Sequence, residues 1–361
     1  MKMNKISTML AVSLSFCITT VFAADSGVDH SKMDHSQMQT TDTADVDHGN
    51  MDHSGMMNHA NMQMAPAGIM KSHNHKKGGF MFSYGFMSMG MEGIKNGTDK
   101  ASTQDVLADS YSMAPSEMSM KMHMLGAMYG MTDDLTLAVM TGYASKEMTM
   151  LMPMMMAMME HDGESSGITD TEVSIVDGLN RYGLDNLVIS YGFSLPTGSI
   201  DETYDGKKLG YPMQLGSGTF DFVPSITYQQ MFNDSWGYGV QGRATVRIGN
   251  NSADYRLGNE YEASTWLTKG FGKRFSISAI IDVAYNDNIS GADSDMMASM
   301  SPSKDPLARE ATVITAGLSG RYNLGSGHNL LLRVDVPIYE DFTGYQLMTD
   351  YKLAVNYKKM F

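Results

Sequence analysis

Apolar and aromatic residues recur at every second position through most of this chain, and only a β-strand sends alternate side chains to opposite faces with that period. The ladders include Phe80, Phe82, Tyr84, Phe86; Leu135, Leu137, Val139, Tyr143; Leu187, Ile189, Tyr191, Phe193, Leu195; and Trp236, Tyr238, Val240, Ala244, Val246, Ile248. They continue through Phe275, Ile277, Ala279, Ile281, Val283, Tyr285; Leu330, Leu332, Val334, Val336, Ile338; and Leu347, Tyr351, Leu353, Val355, Tyr357. Short polar turns at 132–134, 233–235, 272–274 and 326–328 alternate with long Gly-, Asp- and Met-rich connections. Short turns at one end and long loops at the other describe an outer-membrane barrel. The reading is all-β: a transmembrane antiparallel β-barrel of about 12 strands over residues 78–361, preceded by a disordered N-terminal arm. A soluble sandwich or secreted barrel shares the period but has no need of so many aromatic-studded strands.

The first stretch has Lys2 and Lys5, an apolar run from Met9 to Ile18, and Val21-Phe22-Ala23, so residues 1–23 read as a signal peptide cleaved after Ala23. The lone Cys17 leaves with it, which excludes disulfides, thiolate metal sites and a cysteine nucleophile. Beyond it no apolar run approaches the roughly 20 residues of a membrane helix. The formal charge of -14 becomes more negative without the two lysines. Phosphate binding needs clustered Lys and Arg, so nucleic acid is no partner.

Residues 24–77 are a different material, rich in Asp, His, Ser, Met and Asn and poor in anything that builds a core, so disorder is expected. Within them DHSKM-DHSQM (29–38) and DHGNM-DHSGM (47–56) pair one imidazole with one thioether every five residues. Thioether sulfur selects Cu(I) or Ag(I), and imidazole suits Cu(II). The candidate metal ligands are His30, Met33, His35, Met38, His48, Met51, His53, Met56, His59, Met62, Met64, His73 and His75. A solvated linker of biased composition is the plain alternative.

With 38 Met in 361 residues, a second methionine population falls in the barrel. Met81, Met87, Met89 and Met91 alternate opposite the aromatic face, as do Met118, Met120, Met122, Met124 and Met128, so both sets are expected in the lumen, as adaptable packing or as a metal relay. The tract Met148 to Met159 is expected as an external loop. Arg243, Arg247, Asp282, Arg333, Asp335, Asp350 and Lys352 are expected to face inward, as a structural charge network or a substrate constriction. GYGVQG at 237–242 lies inside a strand with no helix after it, so its likeness to a dinucleotide fingerprint is discarded. No G-x-S-x-G or H-E-x-x-H occurs, and no enzyme is expected.

The stretches MFSYGFMSMGMEG (81–93), MSMKMHMLGAMYG (118–130), SLPTGS (194–199) and YPMQLGSGTFDFVPSITY (211–228) resemble the outer-membrane family labelled phenol meta-pathway degradation proteins, often called transporters. The likeness implies a barrel. The closing alternation Tyr351 to Phe361 looks like the C-terminal signal read by barrel-assembly machinery, which with outer-membrane lipid is an expected partner. The arm is similar to the Met/His repeats of copper-resistance protein B. Sequence therefore ranks first an outer-membrane protein whose periplasmic arm sequesters copper, as Cu(I) and Cu(II), or silver, for tolerance or transport. Its alternative is a passive channel for small apolar or aromatic solutes.

Overall fold

Eleven strand elements follow one another around a ring in a computed structural model that describes residues 65–154 and 157–361. The first ten are β1 (Phe80–Gly97), β2 (Ala114–Gly130), β3 (Leu135–Met154), β4 (Thr171–Gly178), β5 (Leu187–Leu195), β6 (Phe220–Asn233), β7 (Trp236–Ile248), β8 (Glu260–Phe271), β9 (Phe275–Asn286) and β10 (Ala311–Gly325). The eleventh, His328–Met360, pairs with both β10 and β1 and closes the ring. Two further strands, Asp99–Ala101 and Ala157–Ile168, pair at the rim outside it.

All pairings are antiparallel, and an odd number of straight strands cannot close antiparallel. The last element resolves this. As one straight strand its 33 residues would reach roughly 110 Å, against an apolar band of about 25 Å. Instead Asn96 faces Tyr345 and Gly97 faces Phe342, so the chain turns back between them at Thr343-Gly344, with Gly344 at φ 75°. The Thr349 amide donates to Glu340 Oε1 at 3.0 Å across the two arms. We label residues 328–342 β11 and 345–360 β12. The barrel has twelve staves, as the alternation predicts.

Outward positions form the lipid face: Phe82, Leu125, Val139, Tyr191, Ile226, Leu267, Ile281, Leu318, Leu332 and Val336 are all exposed in the isolated chain. Aromatic pairs ring the short-turn end, Phe80 with Phe361 at 5.7 Å, Phe271 with Phe275 at 5.8 Å and Phe232 with Trp236 at 6.4 Å, where a bilayer's headgroups would lie. Lys359 stands in an outward position and folds over the Phe361 ring at 5.1 Å to reach the Ser326 carbonyl, which takes its charge out of the apolar band. The Phe361 amide donates to the Phe80 carbonyl at 2.8 Å, completing the seam. Among the described residues no helix is long and apolar enough to cross a membrane.

At the other end the loops are long, and several fold over the barrel mouth. The methionine tract expected as a loop is a hairpin that prolongs β3: Met148 and Met150 are buried beneath it, whereas Met154, Met158 and Met159 are exposed near its tip.

Because closure depends on the reversal at Gly344, Gly344→Val should fold poorly. A side chain there meets Ala308 Cβ at 2.6 Å and must adopt φ 75°, whereas at Gly183 nothing stands within 4 Å. A left-handed conformation costs roughly 1–2 kcal/mol alone, and the clash adds to it. We expect unheated wild-type protein and Gly183→Val to migrate apart from boiled protein on detergent gels, and Gly344→Val to lose at least half of that folded band. Equal folded bands for the two variants would refute the turn.

Candidate functional site: the lumen

The barrel's interior is occupied by its own leading segment. Residues 65–77, which the sequence groups with the arm, belong to the same compact unit as the barrel and run into the lumen from the short-turn end. Unlike the repeats before it, Ala65-Pro66-Ala67-Gly68-Ile69 has an apolar surface to bury, and Ala65 and Ile69 pack on Trp266 and Ile280. At the rim Asn74 Nδ2 donates to the Asp133 carbonyl at 2.7 Å, and the His75 amide donates to Thr136 Oγ1 at 2.8 Å. Deeper, Gln229 Nε2 donates to the Ser72 carbonyl at 3.0 Å and Gln241 Nε2 to the Met70 carbonyl at 2.8 Å. Arg333 Nη1 reaches the Ala67 carbonyl at 3.0 Å, and Ser319 Oγ accepts from the Ala67 amide at 3.3 Å. Ser319 lies about six residues above its turn, so the segment penetrates roughly 20 Å. Small wall residues admit it: a Cβ on Gly178 would sit 2.6 Å from the Asn74 side chain, and one on Gly130 would run into the Lys76 carbonyl.

The wall has two chemistries. On β1 and β2 the inward methionines stand directly opposite one another in register, Met81 with Met128, Met87 with Met122, Met89 with Met120 and Met91 with Met118. Met118 in turn faces Met148 on β3, and Met118, Met148, Met150 and Met213 form a buried cluster with Met91 and Met113 against it. The opposite wall is ionic. Arg247 bridges Asp221 at 2.5 Å and Glu260 at 2.6 Å; Arg243 lies 3.2 Å from Glu262 and 3.6 Å from Glu172; Arg333 pairs with Asp335 at 2.8 Å and with Asp282. Of the seven inward charges expected from sequence, these place Arg243, Arg247, Asp282, Arg333 and Asp335 in the network, whereas Asp350 is exposed.

Above the segment lies a chamber of about 530 Å³, bordered by Lys146, Glu172, Arg243, Arg247, Glu260 and Arg309. The loop through Tyr211 and Gln214 roofs it, tied down where Lys146 Nζ donates to the carbonyls of Pro212 at 2.9 Å and Gln214 at 2.6 Å. The Asp170 carboxylate accepts from the amides of Gly198 at 2.9 Å and Ser217 at 2.8 Å, pinning both ends of that loop.

Of the expected metal ligands, His30, Met33, His35, Met38, His48, Met51, His53, Met56, His59, Met62 and Met64 lie outside the described residues. His73 and His75 are inside the barrel with ring centroids 4.9 Å apart. Among the described residues no three His, Cys, Asp or Glu are gathered to hold a metal. Burial, with the other imidazole and Lys358 adding to it, pushes His73 down to about 3. His75 is lowered by burial and Lys358. The lumenal segment was legible only as the apolar residues 65–69 and a lysine closing a low-complexity arm; its wall partners are scattered over eight strands.

Two outcomes follow for the segment's anchoring. Lys71 and Glu172 are a buried pair, with Arg243 a second partner of the carboxylate. Lys71→Met therefore leaves Glu172 compensated, while Glu172→Gln strands a buried ammonium, a loss of about 3 kcal/mol or a hundredfold in the docked-to-released ratio. Planar-bilayer recordings should show larger-conductance openings far more often in Glu172→Gln than in Lys71→Met, and equal frequencies would remove the anchor. Acid should act likewise. The neutral imidazole is the docked form, so docking is full above about 6.5 and weakens as pH falls from there toward 3, by up to roughly 1.4 kcal/mol per unit. Openings should rise at least several-fold from pH 7 to 5, and His73→Gln should flatten that rise.

Comparison with known proteins places this architecture. Residues 121–344 match the family described as MetA-pathway of phenol degradation. A crystal structure of an outer-membrane channel from Pseudomonas putida F1 superposes with TM-score 0.57 at 13% identity, covering 82% of this chain and 100% of that one. The β domain of the Bordetella autotransporter BrkA follows at TM-score 0.44, 9% identity, 79% and 100% coverage, and the toluene transporter TbuX of Ralstonia pickettii at 0.39, 9%, 83% and 94%. No curated protein matches. The chain is an outer-membrane β-barrel and belongs to the MetA-pathway of phenol degradation family.

Proposed function

We propose that the protein is a passive outer-membrane channel for small apolar or aromatic compounds. The observation that carries this is the thioether wall: four directly opposed methionine pairs run along the lumen from the chamber toward the rim where the leading segment enters. Thioethers are apolar, polarizable and adaptable, and they make favourable contacts with aromatic rings of roughly 0.3–1.5 kcal/mol each. A charged lumen alone would suit ions and sugars. A phenol-like solute has an apolar ring and a polar tip, which matches a passage with thioethers on one side and ion pairs on the other. The family's description and the name of the Pseudomonas channel support the same reading. Passage then requires residues 65–77 to shift, and side-chain hydrogen bonds to their carbonyls can be exchanged for water. Copper capture by the arm, which sequence ranks first, rests on ligands from His30 to His75, of which only His73 and His75 lie among the described residues, with no third His, Cys, Asp or Glu gathered beside them.

Intact cells bearing the protein should take up radiolabelled toluene and phenol several-fold faster than cells lacking it. Replacing Met89, Met91, Met118 and Met120 together with Gln should cut that gain at least threefold while the folded band on unheated gels persists. Uptake independent of the protein would end the reading, and uptake indifferent to the four substitutions would remove the thioether wall from it.

A further inference from the structure

Most of the lumen's cations have a partner: Lys146 donates to two backbone carbonyls, and Arg309 on the chamber wall is only half-buried. Lys71, Arg243, Arg247 and Arg333 each face at least one carboxylate. Arg321 on β10 and Lys358 on β12 do not: they are 7% and 6% exposed, and among the described residues neither has an acidic partner. Arg321 Nε and Nη1 are buried with no hydrogen-bond acceptor, and so are the Nε2 atoms of His73 and His75 without a partner. A buried cation left alone is costly, so a pair of them in one place marks a position built for something that brings negative charge.

The geometry points to an oxyanion site in the short-turn half of the lumen, formed by Arg321, Lys358, His73 and His75, which takes the carboxylate or phosphate head of a small solute. The imidazoles touch edge to face with ring centroids 4.9 Å apart, His73 shares a cavity with Lys358, and Arg321 lies in the same short-turn half of the lumen, two staves from Lys358. Lys358 and His73 border one cavity of about 40 Å³, room for an oxyanion head in place of about three waters, and the only carboxylate on its wall, Glu172, is already paired with Lys71. The donor set suits it. A guanidinium offers two parallel N–H groups to a carboxylate or phosphate, and an ammonium adds a compact charge. Ser72 Oγ lies 3.5 Å from His73 Nδ1, which leaves Nε2, buried and without a partner, as the ring nitrogen available to the site. The amides of Asn329 and Asn356, each with an unpartnered oxygen, are further adjustable groups, on β11 between the two cations' staves and on Lys358's own stave β12. Met81, Met128 and Ala138 border the same cavity and provide an apolar seat for the body of an aromatic acid.

This deepens the channel reading, on which it rests, by adding acid-tailed solutes to its cargo, and its test is binding, not flux. Purified full-chain protein in detergent and low-chloride buffer would be titrated calorimetrically with sodium benzoate and, separately, with inorganic phosphate. Saturable binding is expected, at least tenfold weaker in Arg321→Gln and in Lys358→Gln, and unchanged in Lys208→Gln, whose ammonium pairs with Asp293 in an outer loop. Arg321→Lys, which keeps the charge and loses the fork, should fall between, and it serves if Arg321→Gln lacks the folded band. Benzoate binding tighter than phosphate identifies an aromatic acid as the source of the oxyanion, and the reverse identifies free phosphate. No saturable binding of either anion, or binding indifferent to both Gln substitutions in folded protein, overturns the site. Binding that persists while toluene and phenol uptake fails removes the channel and keeps the site.

Discussion

Lipid offers the backbone no hydrogen bonds, and every other feature of this chain is arranged around that fact. Each unpaired peptide group in the apolar band would cost several kcal/mol, so a strand there must be paired on both edges, and only a closed ring does this. Closure in turn fixes parity. Twelve antiparallel staves close where eleven cannot, which is why the final 33-residue element must double back at Gly344 and why its second arm must find β1. Once closed, the wall has one face in lipid and one in the lumen, and the period of two becomes a rule about chemistry, with Phe82 outward and Ser83 inward, Val334 outward and Arg333 inward.

The lumen is where that rule leaves freedom, and the chain uses it unevenly. Ion pairs line β4, β6 to β9 and β11, some within or between adjoining staves, as Arg247 with Asp221 and Glu260, and some reaching past them, as Arg333 to Asp282 and Arg243 to Glu172. Methionines line β1 and β2, where no ion pair forms between the staves and the opposed side chains need only fill space. The leading segment lies between the two and borrows from both, its Lys71 from the ionic wall and its apolar residues from Trp266 and Ile280. Its hydrogen bonds differ from those of the wall in one respect that matters for function. They join wall side chains to single carbonyls or amides of the segment in a compartment water can enter, so each is exchangeable at a net cost near 1 kcal/mol, whereas a wall hydrogen bond has no substitute.

The architecture was legible in the sequence because alternation is a local property. The aromatic ladder from Phe80 and the ladder from Leu330 fall on the lipid face as read, and the inward set Arg243, Arg247, Asp282, Arg333 and Asp335 falls on the lumen face because face is decided by parity alone. The boundary of the arm was not legible. Residues 65–77 lie next to Met/His repeats, and what sets them apart is the company they keep in space: Gln229, Gln241, Ser319 and Arg333 are 150 or more residues away. The methionine tract was misread for a similar reason, since a loop and a hairpin that prolongs a stave share a composition, and only the register of Met148 with Met118 separates them. Arg321 and Lys358 carry no signal in sequence because what distinguishes them is the absence of an acid opposite, a property of pairs.

That distinction bears on how a narrow barrel can be selective without being rigid. An ion pair in the lumen is self-contained, and it repels nothing and attracts little beyond its own partner. An uncompensated cation acts at a distance and favours whatever anion passes, so Arg321 and Lys358 shape the passage more than the charges that are paired. Their position, beside the imidazoles of the leading segment, joins the two properties in one place. An anion settling there neutralises the charge that His73 and His75 face, which lowers the penalty for keeping those imidazoles buried and tightens the segment; its departure does the reverse. Occupancy of the lumen by solute and occupancy by the chain's own residues are therefore coupled through the same two side chains, Arg321 and Lys358, and a substitution at either must alter both.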